Sequence, residues 1–185
     1  MLRRAHCRII PSEFQIFVQT VFWEWGQEID KPFVQRINFA MQQTPDPSTL
    51  PCSPLAETFG LKYFPRMLGK IRLHAEGKLW VDLHANLGSG SDGALVNFLH
   101  LNYQDLKERV LLGESDEEIF KWCEEQSRPL NDTDKLIWNA YATKLGWNDH
   151  ISAILDKRKA DAGLAHRDDI QTIAHYIDVD EGRMP

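Results

Sequence analysis

YFPRMLGKIRLHAEGKL, residues 63–79, is the stretch that decides the fold. It has the pattern of one complete helix, because Pro65 suits the first helical position, where its missing N–H costs nothing, and Gly77 suits the left-handed position just past the end. Between them, apolar residues recur at helical spacing and form a stripe to bury: Met67, Leu68, Ile71 and Ala75. The stretch therefore predicts a core helix.

Two cations, Arg66 and Lys70, lie four residues apart beside this stripe. They repel each other and oppose the helix macrodipole near its N-terminus, so an anionic partner is expected. The anion is either a bound phosphate or carboxylate, or an acid of the fold itself. The candidate acids are Asp82, Asp92, Asp178 and Asp180.

A glycine-rich turn at residues 86–93 offers backbone N–H groups to the same anion. It lacks the Gly-Lys-Ser/Thr ending of a phosphate loop, so a nucleotide site is not expected. The predicted ligand-binding set is Arg66, Lys70, Asp82, Asn86 and Asp92.

The composition narrows the class of protein. The chain has 185 residues, is 43% hydrophobic and carries a net charge of −6, which suits a globular domain and disfavours nucleic acid as a partner. Three scattered cysteines without a C-x-x-C pair indicate a reducing cytosol. Since no run of 18 apolar residues occurs, we expect no membrane segment.

Metal and thiol chemistry are not expected. His74, His84 and His100 lack the spacing that puts two ligands on one helical face, and no cofactor motif occurs. Cys123 has an acidic neighbourhood, which raises the pKa of a thiol and makes it a poor nucleophile.

Residues 1–40 form an aromatic-rich N-terminal extension, with a helix expected at about 13–25. The Pro-rich linker 41–54 follows, and residues 55–185 form the predicted domain. Three interpretations of the extension stay open: a docking helix, a targeting-like extension, or sequence upstream of a true start at Met41. We favour the start at Met41.

Helix signals repeat after Leu55 and predict an all-α fold of about six or seven short helices. Ser91 or Asp92 caps the second helix, Ser115 with Glu118 forms a capping box, and 80–85 is a short extended piece. The helix at about 133–145 stacks these residues inward: Leu136, Ile137, Ala140, Tyr141 and Leu145.

The final helix is expected to begin at Asp168. Its acidic end, with Asp178, Asp180 and Glu181, requires a cation because the helix dipole disfavours acids there. The candidates are Arg66, Lys70, Arg72, Arg183 or a basic patch of a partner protein.

Residues 54–183 resemble a bacterial family known as domain of unknown function 5069. The likeness is carried by residues 64–68, 70–79, 85–88 with Asp92, 115–119 with 122–123, 138–139, 146–147, 167–172 and 180–183. The resemblance implies a compact, mainly helical cytosolic domain and supplies no activity. Such proteins usually begin near the Pro-rich linker.

Two functions follow from these observations. The first is a non-enzymatic binding module for a protein partner or an anionic metabolite. The second is a small hydrolase or transferase acting on a phosphate- or carboxylate-bearing substrate, with a site that gathers Arg66, Lys70, Asp82 and Asp92. The first is preferred because no nucleophile–base pair or metal spacing is visible.

Overall fold

The computed structural model describes residues 45–185. The extension 1–40, its expected helix at 13–25 and Met41 lie outside these residues. The described part contains seven α-helices, which confirms the predicted all-α fold. They are α1 (Phe64–Ala75), α2 (Ser91–Phe98), α3 (Tyr103–Leu111), α4 (Asp116–Gln126), α5 (Asp132–Lys144), α6 (Ser152–Asp161) and α7 (Ile173–Asp180).

A small antiparallel hairpin precedes α1. Its strands are β1 (Glu57–Thr58) and β2 (Leu61–Lys62), with Thr58 opposite Leu61. Phe59 and Gly60 both have positive φ, at 55° and 74°, as a tight two-residue hairpin turn requires. Strand β2 therefore leads into α1 with only Tyr63 between them.

Helix α5 holds this hairpin in place. The indole nitrogen of Trp138 donates to the carbonyl of Lys62 at 2.8 Å, and the side-chain oxygen of Asn139 accepts from the Lys62 N–H at 2.9 Å. The Asn139 amide also donates to the carbonyl of Gly60. One face of α5 therefore packs against the hairpin at β2.

The helix α1 is the centre of the larger core. It has Pro65 in its first turn, and Gly77 follows its end with φ of 66°. Four of its apolar side chains are almost completely buried: Phe64, Met67, Leu68 and Ile71. They share one cluster with Leu95 of α2, Leu106 of α3, Ile119 of α4 and Trp138 of α5. A second cluster joins the end of α5 to α6 and α7 through Leu145, Leu155, Ile170, Ile173 and Tyr176.

Three local predictions are wrong. Residues 80–85 are not extended, because Val81–Asn86 forms a 3₁₀ helix. Ser91 and Asp92 do not cap α2; they lie inside it, with Gly90 at the cap. The final helix begins at Ile173 rather than Asp168, because the hydroxyl of Thr172 accepts the N–H of His175 and caps it.

The orientation of α5 also differs from the prediction. Leu145 is buried, but Leu136, Ile137 and Tyr141 are 69%, 59% and 39% exposed, and Ala140 is exposed as well. Trp138 is buried in the core, where its indole nitrogen donates to the Lys62 carbonyl of β2 and holds that face of α5 inward. A line of apolar residues is left at the surface.

Candidate functional site

The two cations of α1 lie inside the protein. Arg66 is 1% exposed and Lys70 is 2% exposed, since both belong to the buried face of the helix. A buried charge is tolerated only when it is paired and hydrogen-bonded. The partners therefore decide what these residues can do.

Lys70 is neutralised by Asp92 of α2, one of the acids expected from the sequence. The Lys70 Nζ lies 2.6 Å from the Asp92 carboxylate, which is itself fully buried. The hydroxyl of Tyr63 donates to the same carboxylate at 3.0 Å, and Lys70 Nζ lies 3.3 Å from that hydroxyl. Burial lowers the pKa of Lys70 below its usual value, although the charge of Asp92 opposes this.

Tyr63 enters this network in a strained conformation. Its φ is 70°, a region that bulky side chains rarely adopt. Burial, reinforced by the charge of Asp92, raises the pKa of its phenol well above the usual value, so the hydroxyl keeps its proton and acts as a donor. The hydrogen bond to Asp92 thus helps to hold the strained start of α1.

Arg66 is neutralised by Glu181, which was not among the four acids proposed for it. The guanidinium donates to both oxygens of the Glu181 carboxylate, one at 3.0 Å, and to the carbonyl of Cys52 at 2.6 Å. Burial acts to lower the pKa of Arg66, but the bonds and charge of Glu181 outweigh it and raise the pKa overall.

The acidic end of α7 receives the cations that the sequence predicted for it. Arg183 contacts Glu181 and Asp178, and it also donates to the carbonyl of Pro51. The hydroxyl of Ser53 donates to Asp178 at 2.7 Å. The prediction is confirmed for Arg66 and Arg183, which join the tail to residues 51–53.

The glycine-rich turn directs an N–H group inward. The N–H of Gly88 donates to the second oxygen of Asp92 at 3.1 Å. The carbonyl of Asn86 lies 3.5 Å from Lys70 Nζ. Asp82 is exposed on the 3₁₀ helix and makes no ion pair within the described residues. Of the predicted ligand set, the structure brings Lys70, Asn86 and Asp92 together and leaves Asp82 apart.

Histidine and cysteine form no metal group within residues 45–185. The rings of His74 and His84 contact each other edge to face, with centroids 5.0 Å apart. Cys123 is buried, and burial raises the pKa of its thiol to about 12.

Sequence reasoning missed the outer face of α5, which we call the α5 surface: Leu136, Ile137, Ala140 and Tyr141. It borders a groove of about 310 Å³ whose walls also include Ala94 and Phe98 of α2 and the ring of Trp138. The sequence did contain a signal for this exposed surface, because α5 carries apolar residues on two faces and only one face can enter a core. The spacing of the apolar residues alone does not say which of the two faces is buried.

One cleft lies between α5 and α7, lined by Tyr63, Ser91 and Ile177 among others. Its internal volume is about 10 Å³, room for roughly one water molecule. A ligand larger than water does not fit this conformation.

No helix in residues 45–185 is long and apolar enough to cross a bilayer. No curated protein matches the chain. Residues 48–183 match the family described as domain of unknown function (DUF5069), in agreement with the resemblance seen in the sequence. Because that match covers well over half of the residues of this chain, the chain belongs to the DUF5069 family.

Proposed function

We propose that this domain is a non-enzymatic binding module for a protein partner, which binds at the α5 surface. The observation that carries the proposal is the exposure of Leu136, Ile137 and Tyr141 on one helix, beside an apolar groove. Contiguous exposed apolar residues mark protein interaction sites, whereas isolated ones do not.

Covering this surface is favourable before the entropic cost of association is counted. Burying a Leu or Ile side chain stabilises a complex by roughly 1.5–3 kcal/mol. Tyr141 is exposed and Phe98 is partly buried beside it, and aromatic residues are enriched among those that carry the binding energy of protein interfaces.

An anionic metabolite is the less favoured ligand. To reach Arg66 or Lys70 it would have to displace Glu181 or Asp92 and enter positions that are at most 2% exposed. A hydrolase or transferase that used Arg66, Lys70, Asp82 and Asp92 would meet the same obstacle. The ion pairs therefore favour the protein partner.

In-cell photocrosslinking tests the proposal. A photoreactive amino acid is placed at position 137, and a control variant carries it at position 112, since Leu112 is exposed to 70% but lies at the end of α3. We expect a crosslink to a protein at position 137 and none at position 112. Equal labelling, or none at either position, would contradict the proposal.

Binding of the crosslinked protein is then measured with purified components. Ile137→Asp is expected to abolish it and Leu112→Asp to leave it unchanged. Unchanged affinity for Ile137→Asp would reject the α5 surface as the binding site.

A further inference from the structure

We infer that the protein bound at the α5 surface is a second copy of this chain, with the two α5 helices packed antiparallel about a twofold axis. The inference rests on the proposed function, because it names the partner for the same surface. It is carried by the symmetry of the helix and by its charges.

The α5 surface is complementary to itself. In an antiparallel pair that crosses midway between Trp138 and Asn139, Leu136 of one copy lies opposite Tyr141 of the other. Ile137 then lies opposite Ala140, a small residue that lets the two helices approach closely. All four side chains are exposed in the single chain. Each large residue thus meets a partner residue through the same patch, as a twofold interface requires.

The charges of α5 favour the same arrangement. Asp132 begins the helix and Lys144 ends it; both are exposed, and within residues 45–185 neither makes an ion pair. Antiparallel packing places each Asp132 beside the Lys144 of the other copy. It also places the positive N-terminal end of each helix dipole beside the negative C-terminal end of the other, which is favourable. Parallel packing would bring like charges together.

The groove supplies the remaining contact. A helix of 13 residues is about 20 Å long, and a stable interface buries about 1,200 Å² or more in total. We expect the contact to extend beyond α5 to Ala94 and Phe98 of α2, which line the same groove as Ile137 and Tyr141. The resulting dimer is expected to be reversible and dependent on concentration.

Sedimentation velocity of the 185-residue chain over a concentration series tests the inference. We expect the mass to rise from 21.4 kDa towards twice that value. Leu136→Asp should weaken the dimer by about tenfold or more, since it places a charge inside the apolar interface. Leu112→Asp is the matched control, because Leu112 and Leu136 are equally exposed, and it should leave the dimer unchanged.

Charge reversal tests the orientation. Asp132→Lys and Lys144→Asp should each weaken the dimer, and the double variant should restore it. Each reversal also opposes the helix dipole, so a loss of helix stability cannot produce that rescue. Double-variant affinity no better than that of the single variants would overturn the antiparallel arrangement.

The two proposals fail in different ways. A wild-type protein that stays at 21.4 kDa, or a dimer unaffected by Leu136→Asp, overturns the second copy as the partner. A crosslink at position 137 to a different protein would then still support the binding module. Absence of any crosslink would reject both.

Discussion

Arg66 donates two hydrogen bonds to the carboxylate of Glu181, a residue 115 positions later in the chain. Arg183 contacts the same carboxylate. The pair thereby fixes the C-terminal end of α7 against α1. Removing the pair should therefore lower the stability of the whole domain.

Glu181→Gln is expected to lower the free energy of unfolding by about 3 kcal/mol, because it leaves the buried Arg66 without a compensating charge. Urea denaturation measures the loss. Glu125→Gln is the control, since Glu125 pairs with Lys121 at the surface and its loss should cost less than about 1 kcal/mol. Equal losses for the two variants would mean that the buried pair adds nothing beyond a surface pair.

Gly88→Ala is expected to destabilise the domain by about 2 kcal/mol or more. The φ of Gly88 is 69°, and a Cβ there would lie 2.6 Å from a ring atom of Tyr103. Thermal unfolding measures the change. Gly113→Ala separates the two causes, because Gly113 has φ of 86° but open space around it. If both variants lose the same stability, the Tyr103 ring moves freely and the contact is unimportant.

Gly69→Ala is expected to raise the free energy of unfolding by about 0.5–1 kcal/mol, since alanine is the better helix former. Pro51 approaches α1 at this glycine. A Cβ at position 69 would nevertheless lie 3.5 Å from Pro51 Cβ, an ordinary contact. Chemical denaturation that showed a loss of stability would mean that the segment at Pro51 cannot accept one methyl group.

Asp180→Asn is expected to stabilise the protein at neutral pH. Burial raises the pKa of Asp180 above its usual 3.8, and the charges of Glu181 and Asp82 add to this effect. Between 3.8 and the raised pKa the folded chain binds more protons than the unfolded chain, so stability falls as the pH rises through that window. At neutral pH the wild type bears the full cost of a charged, partly buried carboxylate.

The measurement for Asp180→Asn is the melting temperature of both proteins against pH. The advantage of the variant should shrink as the pH falls below the raised pKa and be absent below 3.8. The asparagine oxygen can still accept from the hydroxyl of Tyr176, which lies 3.3 Å from the carboxylate. An advantage that persists at acidic pH would have another cause.

Local signals predicted the helices well. Pro65 and Gly77 bound α1 as expected, and Ser115 with Glu118 forms the predicted capping box at α4. A second capping box, Asn131 with Asp134, begins α5 and had the same kind of signal three residues apart. These features were predictable because each depends on side chains within one turn of the chain.

Contacts between residues far apart in the chain could not be predicted from the spacing of residues. The acidic end of α7 was expected to need a cation, and Arg66 was one of the candidates. Spacing could not select Arg66 among them, because the pair with Glu181 forms only after α7 packs against α1. The inward face of α5 was decided by the bond from Trp138 to β2, a contact spanning 76 residues. Asp92 was one of the four acids proposed for the two cations of α1, and it is the one that pairs with Lys70.

Residues 51–53 contact residues 178–183. The guanidinium of Arg183 donates to the carbonyl of Pro51, and the hydroxyl of Ser53 donates to the carboxylate of Asp178. The two ends of the matched segment 48–183 therefore leave the fold at nearly the same place. A domain with neighbouring ends can be inserted whole into an exposed loop of a host protein without forcing the host chain apart. For the same reason, a short link from Arg183 back to Pro51 would yield a circular permutant, with new ends at the exposed turn of Gly113 between α3 and α4.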